Sequence, residues 1–147
     1  MFALIETDCL HAMGKRNSRL AWWASKEVLY HYKRITRHRT IVMGYNTYVH
    51  FPMNRFDPTQ TYLIVTIRPE SRRTVHNNVR FVSRFDLEEM NTNDFMLVGG
   101  YTMFCLLHDK IHCLYKIHMN HTFHECDMKD PCVVENIETI YLKNKLI

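Results

Sequence analysis

The residues that could do chemistry gather first around a glycine pair. Phe95-Met-Leu-Val98 reads as a strand buried on both faces, and Gly99-Gly100 ends it. An apolar run with helical spacing then resumes at Met103, Phe104, Leu106 and Leu107. A strand that stops at Gly-Gly and opens into a helix leaves unpaired N–H groups at the strand's carboxyl edge, where they attract anions. Without Cβ atoms, a ligand can also approach the backbone closely. A second apolar strand, Thr40-Ile-Val-Met-Gly44, closes on glycine in the same way. A tight turn with no ligand is the alternative at each point, and G-x-G-x-x-G is absent, which argues against a dinucleotide fingerprint.

Two other sets of residues invite chemical readings. His118, His121, His124 and Cys126 have spacing that suggests zinc, but alternate strand residues face opposite sides, so His118 and His121 point apart. His108 and His112 have helical i, i+4 spacing beside Cys113 and lack a clear fourth ligand. No metal site is expected. Lys33-Arg34, Arg37-His-Arg39 and Arg72-Arg73 could form a basic patch, but Tyr30 and Tyr32 lie on opposite faces of one helix and offer poor base stacking. Solvated surface is the simpler reading, and no nucleic-acid partner is expected.

Positioning these residues takes an alternation of strands and helices. Expected strands are Phe2–Thr7, Thr40–Gly44, Tyr62–Ile67, Val79–Ser83, Phe95–Val98, Cys113–His121 and Ile137–Lys143. Expected helices are Ser25–Thr36, capped by Ser25 with Glu27 in its first turn, a short turn from Asn46 to Phe51, Asp86–Met90, and one after Gly100. Asp8–Arg19 reads as a loop. Several near-continuous apolar strands argue for an α/β domain with a mostly parallel sheet covered by helices on both faces, and an antiparallel C-terminal edge. Ligands of such sheets bind beyond the carboxyl ends of the strands, where Gly44 and Gly99-Gly100 would lie.

The 147 residues suit one domain, and 46% apolar with 23% charged residues is a globular composition. No apolar run approaches the roughly 20 residues of a membrane helix. An acid arrives too early at the N-terminus for a signal peptide, and the five cysteines lack C-x-x-C spacing, so a cytoplasmic setting is expected. The net charge of +4 suits a small anionic ligand.

In order along the chain, these pieces resemble the dihydrofolate reductase family over about residues 2–131. The resemblance runs through Ala3-Leu-Ile, then Gly14-x-x-Asn17 with Trp22, then Lys33-Arg34-x-Thr36. It continues with Ile41-Val-Met-Gly44 and Thr47, Leu63-Ile-Val-Thr66 with Pro69, and Val98-Gly-Gly100. Leu114-Tyr115, Phe123, Asp127 and Pro131 complete it. Residues 1–147 would then form one reductase-like domain.

The resemblance implies an NADPH-dependent oxidoreductase that passes a hydride to dihydrofolate or a related pterin, in tetrahydrofolate and one-carbon metabolism. It also implies a cis peptide at Gly99–Gly100. Gly14, Gly44, Thr47, Thr66, Val98, Gly99, Gly100, Tyr101 and Thr102 would hold the cofactor. The family often places an arginine where Tyr45 stands, and Arg68 would meet the 2′-phosphate instead.

On the substrate side, aligning Trp22 makes Glu27 the pterin-anchoring acid, whereas aligning Lys33-Arg34-x-Thr36 without a gap puts Val28 there. Trp22, Leu29, Tyr32 and Phe51 would wall the pocket. Ile117 takes the place of a supporting threonine, and Arg55 is the nearest substitute for the arginine that clamps the folate tail, whose place falls near Gln60. These departures leave a second reading open, a non-catalytic member of the fold that serves as a nucleotide-binding or assembly module. Few residues follow Pro131, so an exposed edge or a partner chain is expected at the C-terminal side.

Overall fold

The computed structural model describes residues 1–14, 25–123, 128–131 and 134–143. Its frame is a seven-stranded sheet in the order β5-β4-β3-β6-β1-β7-β9. The strands are β1 (Phe2–Thr7), β3 (Ile41–Gly44), β4 (Tyr62–Val65), β5 (Val79–Val82), β6 (Met96–Gly99), β7 (Cys113–His118) and β9 (Ile137–Tyr141). Every pairing in this sheet is parallel. Among the described residues, antiparallel pairing is confined to β2 (Ala12–Gly14) and β8 (Met128–Lys129), which form a separate two-stranded sheet.

The expected antiparallel C-terminal edge is therefore corrected. β7 and β9 run parallel, with Leu114 opposite Ile137 and His118 opposite Tyr141. The stretch between them is long enough for the crossover that a parallel pair requires. β9 is the outer strand, with Ile137 and Tyr141 exposed. β2 also lies inside the stretch expected to be a loop.

Alternation along each strand divides the core in two. Ala3, Ile5, Val42, Leu63, Val65 and Leu97 face α4 (Tyr101–Leu107) and α3 (Arg84–Glu88), which contribute Met103, Phe104, Leu107 and Leu87. Leu4, Ile41, Met43, Tyr62, Ile64 and Met96 face α1 (Lys26–Thr36), which contributes Val28 and Tyr32. Full burial of such side chains is worth roughly 1.5–3 kcal/mol each, which makes both helical layers integral to the sheet. Ser25 caps α1 by accepting from the Val28 amide at 3.3 Å.

Because the large sheet is parallel, β1, β3, β4, β5 and β6 all end on one side. Three of these ends pass directly into helices: Gly44 caps α2 (Tyr45–His50), Ser83 caps α3 and Gly100 caps α4. Between β3 and β6 the register slips, from Val42 opposite Leu97 to Met43 opposite Gly99, so Val98 is the extra residue of a bulge. The bulge sits immediately before the glycine pair.

Candidate active site

A cleft of about 810 Å³ opens at these strand ends. At one end stand the glycines. Gly99–Gly100 is a cis peptide, as the resemblance implies. A Cβ on Gly99 would fall 3.1 Å from Thr47 Oγ1, and one on Gly100 only 2.7 Å from the same atom. A Cβ on Gly44 would meet Met103 Cγ at 3.1 Å. The glycines thus let α2 and α4 close on the sheet, a packing role beyond the ligand approach expected of them. Gly44, Thr47, Val98, Gly99 and Gly100 all line the cleft, as do Tyr101 and Thr102 at the start of α4. Among the described residues, no side chain makes a capping hydrogen bond at the start of that helix.

The second part of the wall is cationic. Arg72 lies 3.8 Å from the Tyr45 ring centroid, and its Nε donates to Thr66 Oγ1 at 3.3 Å. Tyr45, Thr66, Arg72 and Arg84 line the cleft. Arg68 does not. It is exposed, and its carbonyl accepts from the Ser71 amide and hydroxyl. The turn that follows β4 thus brings Arg72 back over the sheet end and turns Arg68 outward. Ser83 caps α3 with a reciprocal Ser83–Asp86 box, which fixes the start of that helix and with it Arg84 at the cleft mouth.

The third part is an ion pair. Arg55 closes a 3₁₀ turn (Met53–Arg55), and its two terminal nitrogens donate to the two oxygens of Glu6 on β1, at 2.6 and 2.8 Å. The Arg55 side chain is 1% exposed and that of Glu6 11%. Burial opposes the guanidinium charge, but the Glu6 carboxylate more than offsets it and holds Arg55 above its ordinary value. The same guanidinium lies 4.6 Å from the Tyr32 ring centroid, with Phe51 packed against that ring at 6.2 Å. Burial raises the Tyr32 phenol well above its usual range, so it stays protonated. Its hydroxyl has no hydrogen-bond partner among the described residues. Glu6, Tyr32, Phe51 and Arg55 all line the cleft.

Several expected site residues stand elsewhere. Glu27 is half-buried and does not line the cleft, because one residue is about 100° around a helix and it is Val28 that faces the sheet. Val28 and Ile117 are fully buried in the same apolar cluster, outside the cleft wall. Leu29 is half-buried and also off the wall. Gly14 ends β2 with φ 143°, opposite Met128, and does not line the cleft. Trp22 lies outside the described residues.

The sequence reading missed Glu6, Arg72 and Arg84 as site residues. Glu6 had a signal: it shares the Leu4 face of a strand buried on both sides, where a carboxylate requires a partner.

Among the described lining residues Glu6 is the sole carboxylate, set against the guanidinium groups of Arg55, Arg72 and Arg84. The wall carries a positive balance suited to an extended anionic ligand, with a neutral ion pair and aromatic rings at one end. No curated protein matches the chain. The sequence model of the family described as dihydrofolate reductase matches residues 3–140, nearly the whole chain, which therefore belongs to the dihydrofolate reductase family.

Proposed function

We propose that the chain is an NADPH-dependent oxidoreductase that reduces a dihydropterin, with dihydrofolate as the substrate and tetrahydrofolate as the product. The observation that carries this reading is the continuity of the cleft. One cavity of about 810 Å³ runs from the glycine and arginine wall to the Glu6–Arg55 pair, large enough for two ring systems to meet.

The lining residues fit the cofactor. Arg72, held flat against Tyr45, and Arg84 offer fork-shaped donors for phosphate. Gly99 to Thr102 offer backbone close to the ring end. NADPH supplies a hydride when bound. The chain's own part is to hold the two rings in contact between the glycine turn and the Tyr32–Phe51 wall, and to keep water away from the transfer. The carboxylate and guanidinium of Glu6 and Arg55 orient the polar edge of the pterin. Reduction of dihydrofolate would place the chain in one-carbon metabolism, in the cytoplasmic setting expected from the sequence.

The test is titration of the purified protein with NADPH, followed by addition of dihydrofolate and measurement of NADPH oxidation. Turnover supports the enzyme. A second reading, a nucleotide-binding module without catalysis, is favoured by the burial of Val28 and Ile117 away from the cleft and by the position of Glu27 off the cleft wall. Binding of NADPH without oxidation selects it.

A further inference from the structure

We infer that the open edge of β9 docks a second copy of the chain, antiparallel and centred on Thr139, so that two sheets join across a two-fold axis. The inference goes beyond the function proposed above and does not depend on it, since no β9 residue lines the cleft. β9 is the outer strand on its side, and among the described residues no strand pairs with its outer edge.

The backbone fixes which residues face outward. The Asn136 carbonyl accepts from the Leu114 amide at 2.8 Å, and the Leu142 amide donates to the His118 carbonyl at 2.9 Å. Even-numbered residues of this stretch therefore turn their peptide groups towards β7, and those of Ile137, Thr139 and Tyr141 point to the open edge. Ile140 and Leu142 belong to the core on the α1 side. Ile137, Thr139 and Tyr141 thus share the other face, where Ile137 is 45% exposed and Tyr141 70%. None of the three is charged. β5, the outer strand at the far end of the sheet, carries the exposed Arg80, the kind of charge that guards an edge against pairing.

A second copy fits this edge in one register. Antiparallel residues exchange both hydrogen bonds only where their peptide groups face each other, so odd-numbered residues must meet odd-numbered ones. The longest overlap sets Thr139 opposite Thr139 of the copy and Ile137 opposite Tyr141 of the copy. A β-branched residue against an aromatic ring is a favourable cross-strand pair. The same register sets Glu135 opposite Lys143 of the copy, once at each end, and both residues are exposed. This charge complementarity selects a second copy as the occupant, because one strand supplies both signs at the spacing that self-pairing needs. Glu138 acts against it. On the other face it meets Ile140 of the copy, with the two Glu138 carboxylates on the diagonal, where like charges repel. So short a strand with that repulsion makes a weak dimer, with a Kd on the order of 10–100 μM.

Sedimentation equilibrium of the full chain, from about 5 μM to about 1 mM, reads the association. The expected result is monomer at the low end and dimer at the high end, with nothing larger, since a two-fold interface closes on itself. Monomer throughout, or growth past the dimer, overturns the inference. Glu135→Lys and Lys143→Glu are each expected to weaken the dimer about tenfold, and the two together to restore it. A double variant no tighter than the single ones overturns the register. Ile137→Lys places a charge on the edge and is expected to abolish the dimer, whereas Glu138→Thr is expected to tighten it about tenfold. A dimer that persists unchanged in Ile137→Lys lies on another face and overturns the inference. All four positions are exposed, so these variants are expected to fold.

Discussion

Thr47 Oγ1 occupies the place a side chain on Gly100 would need, 2.7 Å from the position of its Cβ. Thr47 is short and β-branched and sits on α2, so it has little room to swing aside. Gly100→Ala should therefore destabilise the fold by about 1–3 kcal/mol, the scale of overpacking, and weaken NADPH binding as well. Adding Thr47→Ala removes the obstructing atom and should recover part of the stability. Thermal melts and NADPH titration of the single and double variants check both expectations.

The phosphate end separates two arginines. Arg72 lies in the cleft, stacked on Tyr45, whereas Arg68 is exposed away from it. If the cleft meets the 2′-phosphate through Arg72, Arg72→Ala should weaken NADPH more than NADH, by roughly 1.5–3 kcal/mol for a charge-assisted contact. Arg68→Ala should affect the two cofactors alike and only slightly. Parallel titrations with both cofactors decide between them.

Acid should loosen the region behind β1. Burial lowers the pKa of His118 from its ordinary 6.5, reinforced by the neighbouring His11 and Lys116 and opposed by Asp8. Its ring lies 4.8 Å from that of His11, and Nδ1 is 3.0 Å from Thr7 Oγ1. The unfolded chain therefore takes up this proton at a higher pH than the folded one. The stability contribution is complete above about 6.5 and is lost as pH falls through the lower folded value. Melting temperature should drop between pH 7.5 and 5.5, and His118→Asn should flatten that part of the slope.

Placing an acid on the inward face of α1 should not create a ligand site. Val28 is fully buried in an apolar cluster, and the Arg55 guanidinium that lies over Tyr32 of that cluster is already paired with Glu6. Val28→Glu should cost about 3–5 kcal/mol, the scale of an uncompensated buried charge, and give no gain in turnover. Denaturant unfolding and the NADPH oxidation assay measure the two effects.

The contrast between Val28 and Glu6 shows where sequence reasoning reached and where it stopped. Runs such as Ala3-Leu-Ile5, Ile41-Val-Met43 and Leu63-Ile-Val65 were legible as parallel strands, because burial on both faces leaves no polar alternation. The glycine turns were legible because each follows such a run directly. β2 and β8 are too short to carry a period, and the direction of β9 is set by a crossover that leaves no local mark. The α1 acid could not be placed, since a one-residue ambiguity in alignment moves a side chain through about 100°. Arg55 was marked as a ligand contact, but its partner lies 49 residues away, and no spacing rule links them. Arg72 read only as solvated basic surface for the same reason, since its partner ring comes from another element.

The long reach of those contacts governs how the protein is made and kept. Glu6 with Arg55, Tyr45 with Arg72 and Thr47 with Gly100 join residues that lie 49, 27 and 53 positions apart in the chain. Non-local pairing of this kind is slow to form, and the full cleft draws its wall from Leu4 through to Met128. A ligand in the cleft therefore binds the finished fold alone. At 100 times its Kd it would add about 2.7 kcal/mol to the stability of the whole domain. In a cell, the supply of that ligand would then set how long each copy survives proteolysis, making the amount of protein a readout of the pool it draws on.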